Sequence, residues 1–548
     1  MKDMAKTSPS GLFAPLRHDD FRRVWLASVP SNFGLLINAV GAGWAMTQLS
    51  GRADMVASVQ TALMLPYMLF AIPAGAVADT YDRRKVGMVA LVAATLASGL
   101  LFAFAWVGLL TPWLLLAFCF LNGAANAMFG PVWMSSAGEQ LPREDLPVGI
   151  ALNSMSYNIA RAFGPAVGGV VVAAAGAVAA FGTNAASYLP MLWAQARWRR
   201  AREEPRLPPE QVGTAILSGL RYVGHSPQLR HAIIRTILFG LAAASIQALL
   251  PLVASKNLHG GAGTYGILLG IFGTGAVIGA ATVAWTRERF SSERQISIFL
   301  TILSAACLGV ALARNSLFAG ACLLAGGLAW MQITNALNVS IQTRAPRWVT
   351  GRAVAAYQAS VAGGLAIGSW FWGTAADTVN VSGALACSAG AILIVALVGW
   401  FIPLAPFAAL DDGGAAHLEE PDVEVELVGR SGPIVVIVEY EIAPERAREF
   451  YEGMTMVRGI RLRNGGYGWS LARDIANPSL WLERFHTPTW NDYLRQRERM
   501  TEAERKMIIE KIGEAVRVRR LLERPVGSVR WRENSRDPGV TFPPASHN

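Results

Sequence analysis

The chain has 548 residues, 53% hydrophobic and only 16% charged, with a mean hydropathy of +0.34; soluble domains carry about 25% charged residues, so this balance argues against a purely soluble protein. A net charge of +10 would suit nucleic acid, yet the basic residues sit in short clusters between long apolar runs, the pattern of membrane topology signals. Cys119, Cys307, Cys322 and Cys387 all lie within apolar runs and none is at metal-ligand spacing, so neither a disulfide framework nor a zinc site is expected.

A membrane-spanning helix needs about twenty apolar residues. Such runs recur about twelve times, at roughly 24–47, 55–78, 86–108, 112–135, 148–175, 177–194, 232–254, 264–285, 295–313, 316–341, 353–376 and 382–403. The first is too long for a signal-peptide core and reads as an uncleaved span. Alternate loops carry about 22 and about 3 basic residues, the poor side holding Arg52, Lys256 and Arg314; the rich side, with both termini, is then cytoplasmic. The expected organisation is an N-terminal tail (1–23), a six-helix half (24–194), a central loop (195–231), a second six-helix half (232–403), a linker (404–432), a small folded domain (433–527) and a disordered tail (528–548).

Taken along the chain, the first span carries Asn38. After the second comes Gly75-Ala-Val-Ala-Asp79-Thr-Tyr-Asp82-Arg83-Arg84-Lys85. Here a small residue allows helices to approach and Asp79 can pair with an Arg and cap a helix N-terminus, making a charge latch that can break and re-form. The segment resembles the loop between the second and third helices of the major facilitator superfamily, G-x-x-x-D-R/K-x-G-R/K-R/K, with Thr80 and Asp82 departing from the pattern. The resemblance implies an all-α transporter of two six-helix halves, gated at the cytoplasmic side by Gly75, Asp79, Asp82, Arg83 and Arg84. The alternative is a basic turn that only fixes topology.

Span 4 presents Asn122 and Asn126, four residues apart on one face. In span 5, Arg161 lies half-way along with Asn158 a turn earlier; a guanidinium in hydrocarbon costs at least about 2.5 kcal/mol, so it must face protein or a wet cavity. It is either a functional group or a structural tie between helices. Gly164-Pro165-Ala-Val-Gly168-Gly169 follows and matches the superfamily's G-P-x-x-G-G exporter motif, with small residues for close contact and a proline to bend the helix. Span 7 has Gln247, and span 10 has Gln332, Asn335 and Asn338. Spans 1, 4, 7 and 10 line the central cavity in the superfamily, so the resemblance places these amides there; interhelical hydrogen bonding is the alternative for each. The central loop contains Val212, Ile216, Leu220 and Val223 at helical spacing, a stripe suited to a membrane surface or to packing under the spans.

No nucleotide-binding GxxxxGK[ST] segment occurs, so no cofactor is expected and energy should come from a gradient, with protons the expected ion. The spans lack acidic residues away from their ends; Asp20, Asp79, Glu139 and Asp377 are the carboxylates near the membrane. Beyond the acidic, Gly-bearing stretch 406–432, a strand (434–440), a helix (444–463), two strands (467–474, 480–485) and a charged helix (490–520) give a β-α-β-β-α order that looks like the ferredoxin-like fold. Residues 458–466, Trp469, 481–485 and 490–501 resemble the cytoplasmic tail of the secretion-effector branch, which includes relatives of enterobactin exporters. This implies a multi-pass inner-membrane exporter of siderophores, antibiotics or similar small organic molecules, with the lipid bilayer and its cargo as partners, no nucleic acid, no metal, and self-association or a regulatory contact through the tail. The alternatives are a membrane-anchored enzyme or sensor, against which His486 stands alone with no catalytic neighbours in sequence, and facilitated uptake.

Overall fold

In the computed structural model, residues 13–142, 144–198, 212–346, 349–399, 401–404, 423–425, 427–500, 502–513 and 515–523 are described. The start of the N-terminal tail, residues 199–211 of the central loop, most of the 404–432 linker and the 528–548 tail lie outside them. A run in hydrocarbon must satisfy its backbone groups within itself, which a helix does, and the apolar runs are helices: α1 (Asp19–Leu49), α2 (Ala53–Thr80), α3 (Arg83–Trp106), α4 (Pro112–Gln140) and α5 (Leu146–Arg197) in the first half. After α6 (Val212–His225), the second half contains α7 (Pro227–Leu252), α8 (Ala262–Ala281), α9 (Val283–Arg289), α10 (Ser292–Leu312), α11 (Ser316–Gln342), α12 (Thr350–Val379) and α13 (Val381–Val398).

Among the described residues, ten helices are long and apolar enough to cross a membrane. One of them, α5, contains two spans, because Gly176 at φ 76°, ψ 172° interrupts it; that backbone conformation is open to glycine at little cost. The 30-residue α12 covers the run expected at 353–376 but is not among these ten. The break in α5 is therefore at Gly176, whereas Pro165 sits within helical dihedrals.

The chain forms two compact units: Met1–Ile216, His231–Gln342 and Gly351–Phe407 in one, and Leu217–Arg230, Thr343–Thr350 and Ala408–Asn548 in the other. The second unit contains β1 (Ile434–Glu441), α14 (Ala447–Arg463), β2 (Tyr467–Arg473), β3 (Leu480–Thr487), α15 (Trp490–Glu498), α16 (Glu502–Ile512) and β4 (Arg517–Leu522). The sheet is antiparallel in the order β2-β3-β1-β4. Alternate residues of β1, Ile434, Val436, Val438 and Tyr440, bury against Phe450, Met454, Val457 and Ile460 of α14 and Ile508 and Ile512 of α16, as period-2 and period-3.6 patterns dictate. The single helix expected over 490–520 is instead two short helices and a strand. Gly513, at φ 96°, ends α16, and β4 then pairs with the otherwise open side of β1, completing the ferredoxin-like sheet.

The sheet core holds a buried ion pair, Arg461 with Glu483. Glu483 of β3 is fully buried and accepts hydrogen bonds from Arg461 Nε (3.0 Å) and Nη2 (3.2 Å), Trp469 Nε1 (3.0 Å) and the Tyr440 hydroxyl (3.2 Å). Burial, and then the Glu483 charge, push the Tyr440 phenol upward, so it stays a donor.

The part of α6 in this unit packs by a face that keeps Val223 of the expected stripe but not Leu220. Ser218, Tyr222, Val223 and Ser226 are buried while Leu220 is exposed. The Arg463 guanidinium of α14 lies 5.7 Å from the Tyr222 ring centroid and pairs with Glu504 of α16. Burial raises the Tyr222 phenol to about 12, so the contact is a cation over a neutral ring.

Candidate functional site

The two halves meet along a seam built from small residues. On α8, Gly266, Gly270 and Gly273 fall on one stripe facing α5. A Cβ on Gly169 would lie 2.6 Å from the Gly266 Cα, one on Gly270 would lie 3.0 Å from the Ala166 Cβ, and one on Gly273 would collide with the Arg161 carbonyl oxygen. Glycine is thus required for these backbones to come so close. The exporter-like motif divides between two neighbours: Gly164 and Gly168 face Leu36, Ile37 and Val40 of α1, while Gly169, with Ala166 and the Pro165 carbonyl, faces α8.

A second strip of seam joins α2 to α12. A Cβ on Gly363 would meet the Met68 side chain and one on Gly373 would lie 2.5 Å from the Ala57 Cβ. The Thr61 hydroxyl donates to the Ala366 carbonyl at 2.9 Å. At the end of this strip, the Asp377 carboxylate accepts from the backbone N–H groups of Ala53 (2.8 Å) and Asp54 (2.9 Å). Nearby, Lys256 donates to the Gly51 carbonyl at 2.9 Å, tying the end of α7 to the α1–α2 turn.

Arg161 lies where this seam turns inward. Its backbone touches Gly273, and its charge acts on the Tyr357 phenol of α12, whose hydroxyl donates to the Thr334 carbonyl of α11 at 2.8 Å. The Arg161 side chain is half-buried, and the cost of a guanidinium in hydrocarbon requires it to face protein or a wet cavity. Asn158, a turn before it, is half-buried and donates to the Ser154 carbonyl of its own helix.

The other amides fall into distinct settings. Asn122 accepts from Ser98 (3.0 Å), which accepts from Asn184 (2.9 Å), and Asn126 donates to Tyr188 (3.1 Å), all within the first half. Gln332 accepts from Thr286 and Gln295 and donates to Thr282 and the Gly279 carbonyl within the second. These three residues, expected on a central cavity, hold helices of one half together, because each finds a polar partner on a neighbouring helix of that half. Asn38 is 1% exposed, on the stripe of α1 whose Gly34 and Gly41 meet Ser187 and Ala180, and neither of its amide atoms has a hydrogen bond. Gln247 and Asn335 are half-buried, with the Asn335 carbonyl oxygen unpartnered, and Asn338 accepts from Gln342 at 3.0 Å.

At the opposite end, Asp82 caps α3 by accepting from the Lys85 N–H (3.2 Å). Arg83 donates to Glu139 of α4 (2.8 Å) and to the Ala78 carbonyl (3.2 Å), and Arg84 donates to the Ala196 carbonyl of α5. A Cβ on Gly75 would meet nothing within 4 Å, so the close approach expected there is not made in this conformation. The Asp79 side chain lies outside the described residues. A cavity of about 790 Å³ opens among His18, Asp20, Arg23, Arg84, Gln140 and Arg197 at this end of the first half. Among the described residues, no group of three or more His, Cys, Asp or Glu is placed to hold a metal ion.

Sequence reading missed Asp377 as a cap, Glu139 as the partner of Arg83, and the α8 glycines. The last carried a visible signal, Gly266-x-x-x-Gly270, the spacing that lets membrane helices touch; the other two depend on residues distant in the chain.

Comparison with known proteins agrees with this architecture. The chain is 30% identical over 216 residues to the multidrug efflux pump Tap of Mycobacterium tuberculosis, covering 36% of this chain and 51% of that relative, so the match spans about half of the relative's length. It is 24% identical over 399 residues to the multidrug efflux pump Tap of Mycolicibacterium fortuitum, covering 69% of this chain and 95% of the relative. A POT family transporter solved in complex with 5-aminolevulinic acid superposes with a TM-score of 0.58 at 12% identity, over 72% of this chain and 97% of that one, which shows a shared fold. The model of the transmembrane secretion effector family matches residues 10–525, and the chain belongs to that family of major facilitator transporters.

Proposed function

We propose that this protein is a secondary active exporter of small organic molecules, of the siderophore, antibiotic or drug-like kind, working by alternating access in a bacterial inner membrane. The observation that carries this reading is the seam: the halves interlock through glycine-lined backbone contacts at the Asp377 end, with Arg161 at the inner limit of that closure. The distribution of Lys and Arg supports an orientation with the Asp377 end outside and both termini in the cytoplasm. The described conformation is then closed to the outside, and export requires the halves to rock apart along this seam while the Arg83–Glu139 end comes together. Arg161 is suited to an anionic or catecholic cargo, and Asn38 and Asn335 have polar atoms still to be satisfied. Likeness to efflux pumps supports the outward direction, and a proton gradient is the energy source consistent with a chain that has no nucleotide-binding loop. The tail domain grips α6 and has a regulatory or self-associating role rather than a catalytic one.

The test is accumulation of a panel of siderophores, antibiotics and dyes in a bacterial strain stripped of efflux pumps, with and without a proton uncoupler. The wild type is expected to lower accumulation of at least one compound, and both the uncoupler and Arg161→Ala are expected to abolish this at equal membrane abundance. Efflux that persists in the uncoupler or in Arg161→Ala contradicts the corresponding part of the proposal.

A further inference from the structure

On the first half, α3 and the arm of α5 beyond Gly176 run antiparallel, side by side. A Cβ on Gly87 of α3 would lie 2.8 Å from the Gln195 amide nitrogen, and one on Gly182 of α5 would lie 3.0 Å from the Phe102 ring at the other end of α3. Both helices turn an apolar stripe outward: Val89, Val92, Leu96 and Leu100 of α3 are exposed at three- and four-residue spacing, and so are Leu189 and Trp193 of α5. The two stripes run into cations at the same end, Lys85 with its neighbour Arg84 on α3 and Arg197 on α5. In a bilayer, an apolar stripe that ends in a tryptophan and then a cation marks the passage from acyl chain to headgroup. Arg197 lies over the Trp193 ring, 4.8 Å from its centroid, which holds the guanidinium at that level.

The cavity of about 790 Å³ opens at this same end, and its charges do not cancel. The carboxylates that line it have arginines on their own helix: Asp19 accepts from Arg22, and Asp20 lies 3.6 Å from Arg23. His18 is held at 2.9 Å by Asp145, just before α5. Arg84 is engaged by the Ala196 carbonyl and Arg197 by an aromatic ring, so among the described residues neither has a carboxylate partner. On the same wall, the Gln140 amide nitrogen is buried without a hydrogen bond. Two uncompensated guanidinia and an unused amide donor therefore line one cavity, a set that an anion with several acceptor oxygens would satisfy.

We propose that this cavity binds the headgroup phosphate of an anionic phospholipid, with its acyl chains lying along the α3 and α5 stripes. A phosphate accepts from both guanidinia and from the Gln140 amide at once, and its negative charge offsets the excess of Arg84 and Arg197. The stripes supply the apolar contact that a free phosphate cannot use. Basic pockets between membrane helices are suited to such headgroups. The bound lipid would tie together the ends of α1, α3, α4 and α5, all in the first half and away from the seam, so the site needs no cargo and stands apart from the export reading.

The experiment uses the full chain in a neutral detergent, immobilised on scintillation beads and titrated with radiolabelled phosphatidylglycerol, phosphatidylcholine or inorganic phosphate. Phosphatidylglycerol is expected to bind saturably, at least about tenfold more tightly than phosphatidylcholine, whose headgroup has no net charge, and than inorganic phosphate, which lacks the chains. The double variant Arg84→Gln, Arg197→Gln should weaken phosphatidylglycerol binding by at least about tenfold and leave phosphatidylcholine unchanged. Arg84→Lys, Arg197→Lys, which keeps both charges, should bind phosphatidylglycerol more tightly than the glutamine pair does. Arg289 of the second half also lies over a tryptophan, 4.4 Å from the Trp285 ring centroid, and Arg289→Gln should bind as the wild type does. Equal binding of the two lipids, a glutamine pair that binds like the wild type, a lysine pair no better than the glutamine pair, or a loss in Arg289→Gln as large as in the glutamine pair overturns the proposal. Inorganic phosphate that binds as tightly as phosphatidylglycerol overturns the lipid as the source of the phosphate.

Discussion

Gly169 illustrates how much one missing side chain decides here. Its neighbour Gly168 packs on Ile37 and Val40 of α1, whereas Gly169 rests on the backbone of Gly266 across the seam. A methyl group at Gly169 must push α5 and α8 apart, and overpacking of this kind costs about 1–3 kcal/mol. Because that cost falls on the closed state alone, Gly169→Ala should increase the open-outside population by about 5- to 150-fold, measured by pulsed electron resonance between spin labels at Leu109→Cys and Leu317→Cys in a protein with its native cysteines replaced, while Gly164→Ala, facing only the Leu36 side chain, should change it much less. The motif itself was legible in the sequence, since Gly164-Pro165 and Gly168-Gly169 stand out in any apolar run. Which neighbour each glycine serves was not legible, because that depends on the rotation of three helices packed together.

At the scale of elements, the tail domain and its grip on α6 carry the clearest consequences. Removing one member of a buried ion pair leaves the other charge uncompensated and costs about 3–5 kcal/mol. Glu483→Ala is therefore expected to unfold the tail domain, seen as rapid proteolysis within 434–522 while the membrane helices stay protected. Tyr222→Ala is expected to leave the sheet intact and to raise amide exchange across the 217–225 part of α6 by about tenfold or more, since it removes the ring over which Arg463 lies. The first strand, the long helix and the two following strands of this domain could be read from alternation and periodicity. The fourth strand could not, because Arg517, Arg519 and Arg520 make it look like a continuation of the charged helix. Two signals were present nonetheless: Gly513 is a helix-ending residue, and Thr501-x-x-Glu504 is a helix-starting pattern that divides 490–512 into two. In α6, the apolar spacing pointed to Leu220 and Val223 together, and of these Val223 is buried beside Tyr222 while Leu220 is exposed.

At the scale of the whole molecule, span number and loop charge were fixed by the bilayer, which leaves a helix few alternatives, so each expected span overlaps a helix. The seam was not legible, since its bonds join residues as far apart as Ala53 and Asp377, and of the polar stripes read from the sequence Asn122, Asn126 and Gln332 proved to bind within single halves. All the seam residues belong to the first compact unit. Deleting residues 430–548 should accordingly leave a substantial part of efflux in the accumulation assay, whereas complete loss at normal membrane abundance would favour an activity located in the tail. The central claim is that the two halves separate along α5 and α8 during transport, and it is tested most directly by locking them. A Cβ at Gly270 would lie 3.0 Å from the Ala166 Cβ, about half an ångström inside the span a disulfide bridges, so a bond there needs only a small parting of α5 and α8. In a protein with its native cysteines replaced, the Ala166→Cys, Gly270→Cys double variant should lose efflux on oxidation and recover it on reduction, with each single variant indifferent to both. Efflux at the full rate through the cross-linked protein would contradict alternating access along this seam.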